Sequence, residues 1–108
     1  MTLYGLKTCD TCKKAIKALE GAGQSVAFID IRADADLSSK VPTWLEAVGS
    51  DVLINRRSTT WRNLSEAERE SDPIDLLIAN PTLMKRPVIE AGSEVSVGWT
   101  KAVQEKLV

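Results

Sequence analysis

Between Asp10 and Gly21 the apolar residues Cys12, Ala15, Ile16 and Leu19 recur at steps of three and four, with Lys13, Lys14 and Lys17 between them. That spacing gathers the apolar set on one stripe of a helix and turns the lysines mostly to water, while Gly21 and Gly23 supply the stop. On either side the period changes. Thr2-Leu3-Tyr4-Gly5-Leu6 reads as a short strand that ends at a Lys7-Thr8 turn, and residues 26–31 form an apolar run of strand length. A right-handed crossover through the helix makes these two strands parallel.

The middle of the chain is predicted to be helical. Leu37–Val48 carries Val41, Trp44, Leu45 and Val48 at helical spacing, and Pro42 fits such a helix only within its first turn. Gly49-Ser50 is expected to end it. Residues 55–62 are expected to be a polar, arginine-dense connection, after which Ser65-Glu66-Ala67-Glu68 starts a short helix. A further helix over Pro73–Ala79 follows an Asp72 cap, with Ile74, Leu77 and Ile78 facing inward, and Asn80-Pro81 stops it. Residues 87–90 and Glu94–Val97 flank Ala91-Gly92-Ser93, a hairpin with glycine in its turn. Residues 100–107 make a closing helix with Ala102, Val103 and Leu107 inward. The element order predicts an α/β, thioredoxin-like fold with a mixed sheet, one domain over residues 1–108 with a helical insertion at about 36–80.

Charge and composition narrow the function classes. Fourteen basic residues stand against 15 acidic ones, so no broad basic face is expected for nucleic acid or an anionic membrane. The apolar runs are too short to span a bilayer, and Met1-Thr2-Leu3-Tyr4 lacks the charged start and long apolar centre of a secretory leader, which points to the cytoplasm. In that reducing compartment a close cysteine pair is more often redox-active or metal-binding than structural. The chain has two cysteines and no histidine, which removes Cys-His catalytic pairs and His-containing zinc sites, and no metal centre is expected.

The chemistry therefore concentrates in Cys9-Asp10-Thr11-Cys12, at the junction of the first strand and helix. A thiol reacts as thiolate, and the N–H groups and dipole of a helix start lower its pKa. Cys9 is placed to be the attacking thiol. Lys7 adds a positive charge nearby, whereas Asp10 opposes the thiolate unless its side chain turns away to cap the helix. Cys12, one turn on, can reach Cys9 as a resolving thiol, although its place on the apolar stripe with Ile16 and Leu19 is also explained by packing alone. In Lys85-Arg86-Pro87-Val88, a proline opening a strand can adopt the cis form and make a second wall, with Arg86 facing Cys9. Arg86 with Arg56 or Arg57 can then hold an oxyanion or a carboxylate through paired hydrogen bonds, the other reading of Arg57 and Arg62 being solvated surface arginines. Trp44, Trp61 and Trp99 read as core or rim aromatics.

Three stretches carry a family resemblance: Tyr4-Gly5-Leu6-Lys7-Thr8-Cys9-Asp10-Thr11-Cys12-Lys13-Lys14-Ala15, Leu53-Ile54-Asn55-Arg56-Arg57-Ser58-Thr59-Thr60-Trp61-Arg62-Asn63-Leu64, and Asn80-Pro81-Thr82-Leu83-Met84-Lys85-Arg86-Pro87-Val88-Ile89. In order and spacing they resemble the ArsC/Spx family, its YffB-like branch above all. The resemblance implies an arsenate reductase-like thioredoxin fold with Cys9 as nucleophile. Arg86 matches the family arginine before proline, Arg56 the YffB-type Asn-Arg, and Arg57 lies closer to the arginine of the Spx branch. The implied catalytic set is Cys9, Cys12, Arg86 and Arg56, with Lys7, Thr11, Arg57 and Pro87 as substrate-binding residues. Trp99 stands near the position where arsenate reductases carry another anion-binding arginine, which weakens the case for arsenate. The resemblance further implies no tightly bound cofactor, glutathione as co-substrate, glutaredoxin as a partner, and a disulfide or small oxyanion as substrate. Cys12 keeps a second reading open, since Spx regulators use a CxxC disulfide switch and bind RNA polymerase.

Overall fold

In chain order the elements are β1 (Thr2–Gly5), α1 (Asp10–Gly21), β2 (Ala27–Asp30), α2 (Leu37–Val48), α3 (Ser50–Leu53), α4 (Thr59–Arg62), α5 (Glu66–Arg69), α6 (Pro73–Ala79), a 3-10 turn at Pro81–Leu83, β3 (Val88–Ala91), β4 (Glu94–Val97) and α7 (Lys101–Leu107). The computed structural model describes all residues 1–108. They form two compact units, one of residues 1–35 and 86–108, the other of residues 36–85. No helix is long and apolar enough to cross a membrane.

The first unit is a mixed sheet in the order β2-β1-β3-β4. β1 runs parallel to β2, with Leu3 opposite Phe28, and antiparallel to β3, with Leu3 opposite Ile89. β3 returns antiparallel as β4 through a turn in which Gly92 takes φ 62°, a conformation open to glycine at little steric cost. The strand–helix–strand opening and the hairpin are thus as the apolar pattern predicts. Leu3, Cys12, Ala15, Leu19, Ile89 and Leu107 close into one core cluster, with Cys9 and Trp99 packed against it. Each fully buried leucine or isoleucine contributes about 1.5–3 kcal/mol relative to exposure, and the cluster clamps the inner stripe of α1 to the sheet. That clamp sets where the start of α1, and hence Cys9, is held.

One inward assignment fails here. Ala102 is exposed, and only Val103 and Leu107 of the predicted inner set lose solvent. The Thr100 hydroxyl caps the helix by accepting from the Val103 N–H at 3.3 Å, so α7 starts at Lys101 and turns Ala102 outward.

In the second unit α2 buries Leu37, Val41 and Trp44 and packs on α6. Pro42 is not in the first turn but sixth in α2. The carbonyl it cannot bond belongs to Ser38, which is exposed, so water can satisfy the group. Gly49, at φ 83°, does end α2, but Ser50 opens α3 at once. The expected connection 55–62 contains a helical turn, α4, because the Ser58 hydroxyl accepts from the Trp61 N–H at 3.1 Å. The Ser65 start is a full capping box, Glu68 N–H to Ser65 Oγ and Ser65 N–H to Glu68 Oε1 at 3.1 and 2.9 Å. Asp72 caps α6 by accepting from the Ile74 N–H at 2.9 Å. The buried residues of α6 are Leu76 and Leu77, while Ile74 and Ile78 stay half-buried.

Candidate active site

After β1 the chain turns back through a Cys9 N–H to Leu6 carbonyl bond of 3.1 Å and enters α1 with Cys9 at the N-cap. The cap residue is therefore the cysteine itself rather than Asp10, which is the exposed first residue of the helix. Cys9 keeps an extended backbone, φ −82° and ψ 115°, and its carbonyl accepts from Lys13 N–H at 3.1 Å. Its sulfur makes no conventional cap bond, yet the N–H of Cys12, third in the helix, is directed at it.

Five influences decide the ionisation of Cys9. Partial burial pushes its pKa up, but the Cys12 N–H, hydrogen bonds from the Cys12 thiol and from Arg86, and the positive charge of Arg86 together hold it below the ordinary 9.0. Cys12 moves the other way, to about 11, mainly through burial and then through the adjacent Cys9 sulfur, against the opposing N–H of Leu6 and charge of Arg86. Only 1% of Cys12 is exposed, and both cysteines are free. The pair is thus asymmetric: a half-buried thiol biased to thiolate beside a buried thiol that retains its proton and donates to it.

Arg86 reaches Cys9 from the other end of the sequence. The Arg86-Pro87 bond is cis, Pro87 is buried, and the Pro87 carbonyl accepts from Gly98 N–H at 2.8 Å just before β3 begins. Trp99 packs half-buried against the core cluster. Thr11 and Lys7 are exposed. The cation acting on Cys9 is Arg86; Lys7 acts instead on Asp30, whose carboxyl is held low chiefly by the N–H groups of Ala33 and Arg32.

Arg56 and Arg57 belong to the second unit. With Asp51, Ile54, Asn55 and Lys85 they line a cavity of about 400 Å³. Arg56 pairs with Asp51 at 3.0 Å and lies 5.5 Å from the centre of the Trp61 ring, over which Arg69 also stacks at 5.1 Å. Arg69 also donates to the Trp61 carbonyl at 3.0 Å. Arg57 is exposed, its N–H donating to Asn55 Oδ1 at 3.1 Å. The structure therefore brings Cys9, Cys12, Arg86 and Pro87 together in one unit, and commits Arg56 to Asp51 and Trp61 in the other. Sequence reasoning missed Asp51, Arg69, the Leu6 N–H and Gly5. For the first two, no helical or strand period joins the partners. Gly5 carried a signal, a glycine inside a predicted strand, which often marks close approach of another group. No three Cys, Asp or Glu side chains converge as metal ligands.

The profile of the ArsC family matches residues 4–107. An uncharacterized protein of Haemophilus influenzae is 41% identical over 106 residues, which cover 94% of this chain and 92% of that protein. Among solved structures, one described as the YFFB protein superposes with a TM-score of 0.88 at 32% identity, over 98% of this chain and 96% of the other. An arsenate reductase (ArsC) related protein from Brucella melitensis superposes with a TM-score of 0.77 at 36% identity, over 97% and 91% of the two chains.

Proposed function

The chain belongs to the ArsC family, whose profile spans nearly all of it, and from that premise we propose that it is a cytoplasmic thiol-dependent reductase, linked to glutathione, in which Cys9 is the nucleophile. The observation that supports this best is the asymmetric thiol pair, with Arg86 hydrogen-bonded to the thiol of lower pKa. Thiolate character, partial exposure and a neighbouring cation are what an attacking cysteine needs.

On a glutathione mixed disulfide, the Cys9 thiolate attacks the glutathione sulfur. A Cys9–glutathione disulfide forms, the original S–S bond breaks, and the other sulfur leaves as a thiolate that takes a proton from water. A second glutathione thiolate then attacks the glutathionyl sulfur, releasing glutathione disulfide and restoring Cys9. In the alternative resolution Cys12 gives its proton to solvent and attacks the Cys9 sulfur, expelling glutathione and leaving a Cys9–Cys12 disulfide for two further glutathiones to reduce. The high pKa of Cys12 makes this route slow until the proton is removed. On an arsenate-like oxyanion the Cys9 thiolate displaces one hydroxyl as water, the proton coming from solvent, while Arg86 donates to the oxygens that remain. A glutathione thiolate then attacks the Cys9 sulfur of this arsenic(V) adduct, the As–S electron pair leaves with arsenic as arsenite, and the Cys9–glutathione disulfide is resolved as above. Lys7 and Thr11 are proposed as further substrate contacts and Pro87 as the wall that carries Arg86. Arg56 and Arg57 are proposed as anion-binding residues of their own cavity. Glutaredoxin is the proposed partner that returns electrons.

The deciding experiment is NADPH-coupled turnover by the reduced protein with glutathione and glutaredoxin components, comparing arsenate with a glutathione mixed disulfide and using Cys9→Ser as the blank. Turnover of the mixed disulfide alone identifies a thiol reductase, and turnover of arsenate an arsenate reductase. Silence on both rejects the enzyme reading in favour of the second one, a redox regulator that closes the Cys9–Cys12 disulfide and binds RNA polymerase. That reading is favoured by the contact between the two thiols and is tested by polymerase capture with the oxidised and reduced protein.

A further inference from the structure

Gly5 is the last residue of β1 and is buried. The glycines with positive φ are Gly23, Gly49, Gly92 and Gly98; Gly5 is not among them, so its backbone conformation is one that any residue adopts. What distinguishes it is space. A Cβ built at Gly5 overlaps the Cys12 sulfur and comes within 3.3 Å of the Cys12 Cβ and 3.5 Å of Leu3 Cδ2, whereas one at Gly21 meets nothing within 4 Å. The sulfur of Cys12 therefore rests in the place where every other amino acid carries its side chain.

We propose that Gly5 is a positioning residue for the thiol pair: its bare α-carbon is the seat that lets Cys12, and with it the first turn of α1, settle onto the sheet at the depth where Cys12 meets Cys9. Cys12 is third in α1, and it supplies Cys9 with both a backbone N–H and a thiol donor. It is also a member of the cluster, with Leu3 and Ile89, that ties α1 to the sheet. A methyl group at position 5 must displace the sulfur, because the alternative, moving β1, breaks its pairing with β2 at the Gly5–Asp30 position. Either donor is then withdrawn from Cys9 before any residue that touches a substrate has been changed.

The test is the pH profile of Cys9 alkylation by iodoacetamide, read by mass spectrometry so that each cysteine is followed separately. Gly5→Ala is expected to raise the midpoint of the profile by about half a pH unit, a roughly threefold loss of rate below the midpoint. Gly21→Ala is the control and leaves the profile unchanged. In a Cys12→Ala background the overlap with the sulfur is gone and only the 3.3 Å approach to the β-carbon of residue 12 remains, so Gly5→Ala should give a folded protein by circular dichroism and cause no further shift. An unmoved midpoint in Gly5→Ala overturns the proposal, and so does an equal shift with and without Cys12. If Gly5→Ala alone does not fold, the double variant must; its failure to fold also overturns the proposal. Alkylation reads the thiols and not a substrate, so the result stands apart from the outcome of the reductase assay.

Discussion

Burial alone pushes the Cys9 pKa up; the Cys12 N–H, the Cys12 thiol and Arg86 together outweigh it, and the two side-chain donors are groups that can be removed one at a time. Alkylation of Cys9 is expected to reach half its plateau below pH 9.0, while Cys12 stays unreactive until the pH nears 11. Coincident profiles for the two cysteines would rule the asymmetry out. Arg86→Ala deletes a hydrogen bond and a positive charge at once, so the Cys9 midpoint should rise and the alkylation rate near neutral pH should drop several-fold, with Arg86→Lys recovering part of it. Cys9→Ser should lose all turnover in the coupled assay, and residual activity there would remove Cys9 from the mechanism. At this scale the sequence singled out Cys9 and Arg86, since a thiol before a helix and an arginine before a strand-opening proline are local patterns, and the structure places the two side by side. It did not show that Lys7 acts on Asp30 and leaves Cys9 to Arg86, because that depends on where chain-distant charges come to rest.

Elements form here largely from their own ends. The Ser65–Glu68 box satisfies donors at both sides of the α5 start, and Ser65→Ala should cost about 1 kcal/mol in urea unfolding, against a change within about 0.5 kcal/mol for an exposed control such as Ser93→Ala. An unaltered midpoint for Ser65→Ala would mean that α5 is held by something other than its cap. Caps, glycine stops and apolar periods act over a few residues, which is why α1, α2, α5, α6 and the β3–β4 hairpin were legible within a residue or two. α4 was not, since four residues are too few to show a period and its Ser58 cap stands among arginines that read as loop. Pro42 departs from its expected first-turn place because the missing N–H costs one bond to the Ser38 carbonyl, on a residue exposed to water, while the burial of Leu37, Val41 and Trp44 holds both sides of the helix.

For the molecule as a whole, the two thiols tie stability to pH in opposite senses. Cys9, lowered in the folded state, contributes stability that is fully present above its unfolded value of 9.0 and is lost as pH falls through its folded pKa. Cys12, raised to about 11, contributes stability that is fully present below 9.0 and is lost as pH rises through 11. Relative to Cys9→Ser, the wild type should therefore gain unfolding free energy as pH approaches 9, and relative to Cys12→Ala it should lose it from pH 9 to 11, both read from denaturant midpoints across pH. Equal slopes in wild type and variants would show that neither thiol senses folding. The sequence by itself determined the order and type of most elements, the mixed sheet and the place of both thiols at a strand-to-helix junction, because periodicity, capping and turn chemistry act between near neighbours in the chain. Only the tertiary structure decided that Gly5 seats the Cys12 sulfur, that Cys12 is the protonated partner, that Arg86 and not Lys7 is the cation at Cys9, and that Arg56 pairs with Asp51 beside Trp61. Those are relations of distance and desolvation between residues separated in sequence, and they exist only once the core has closed around them.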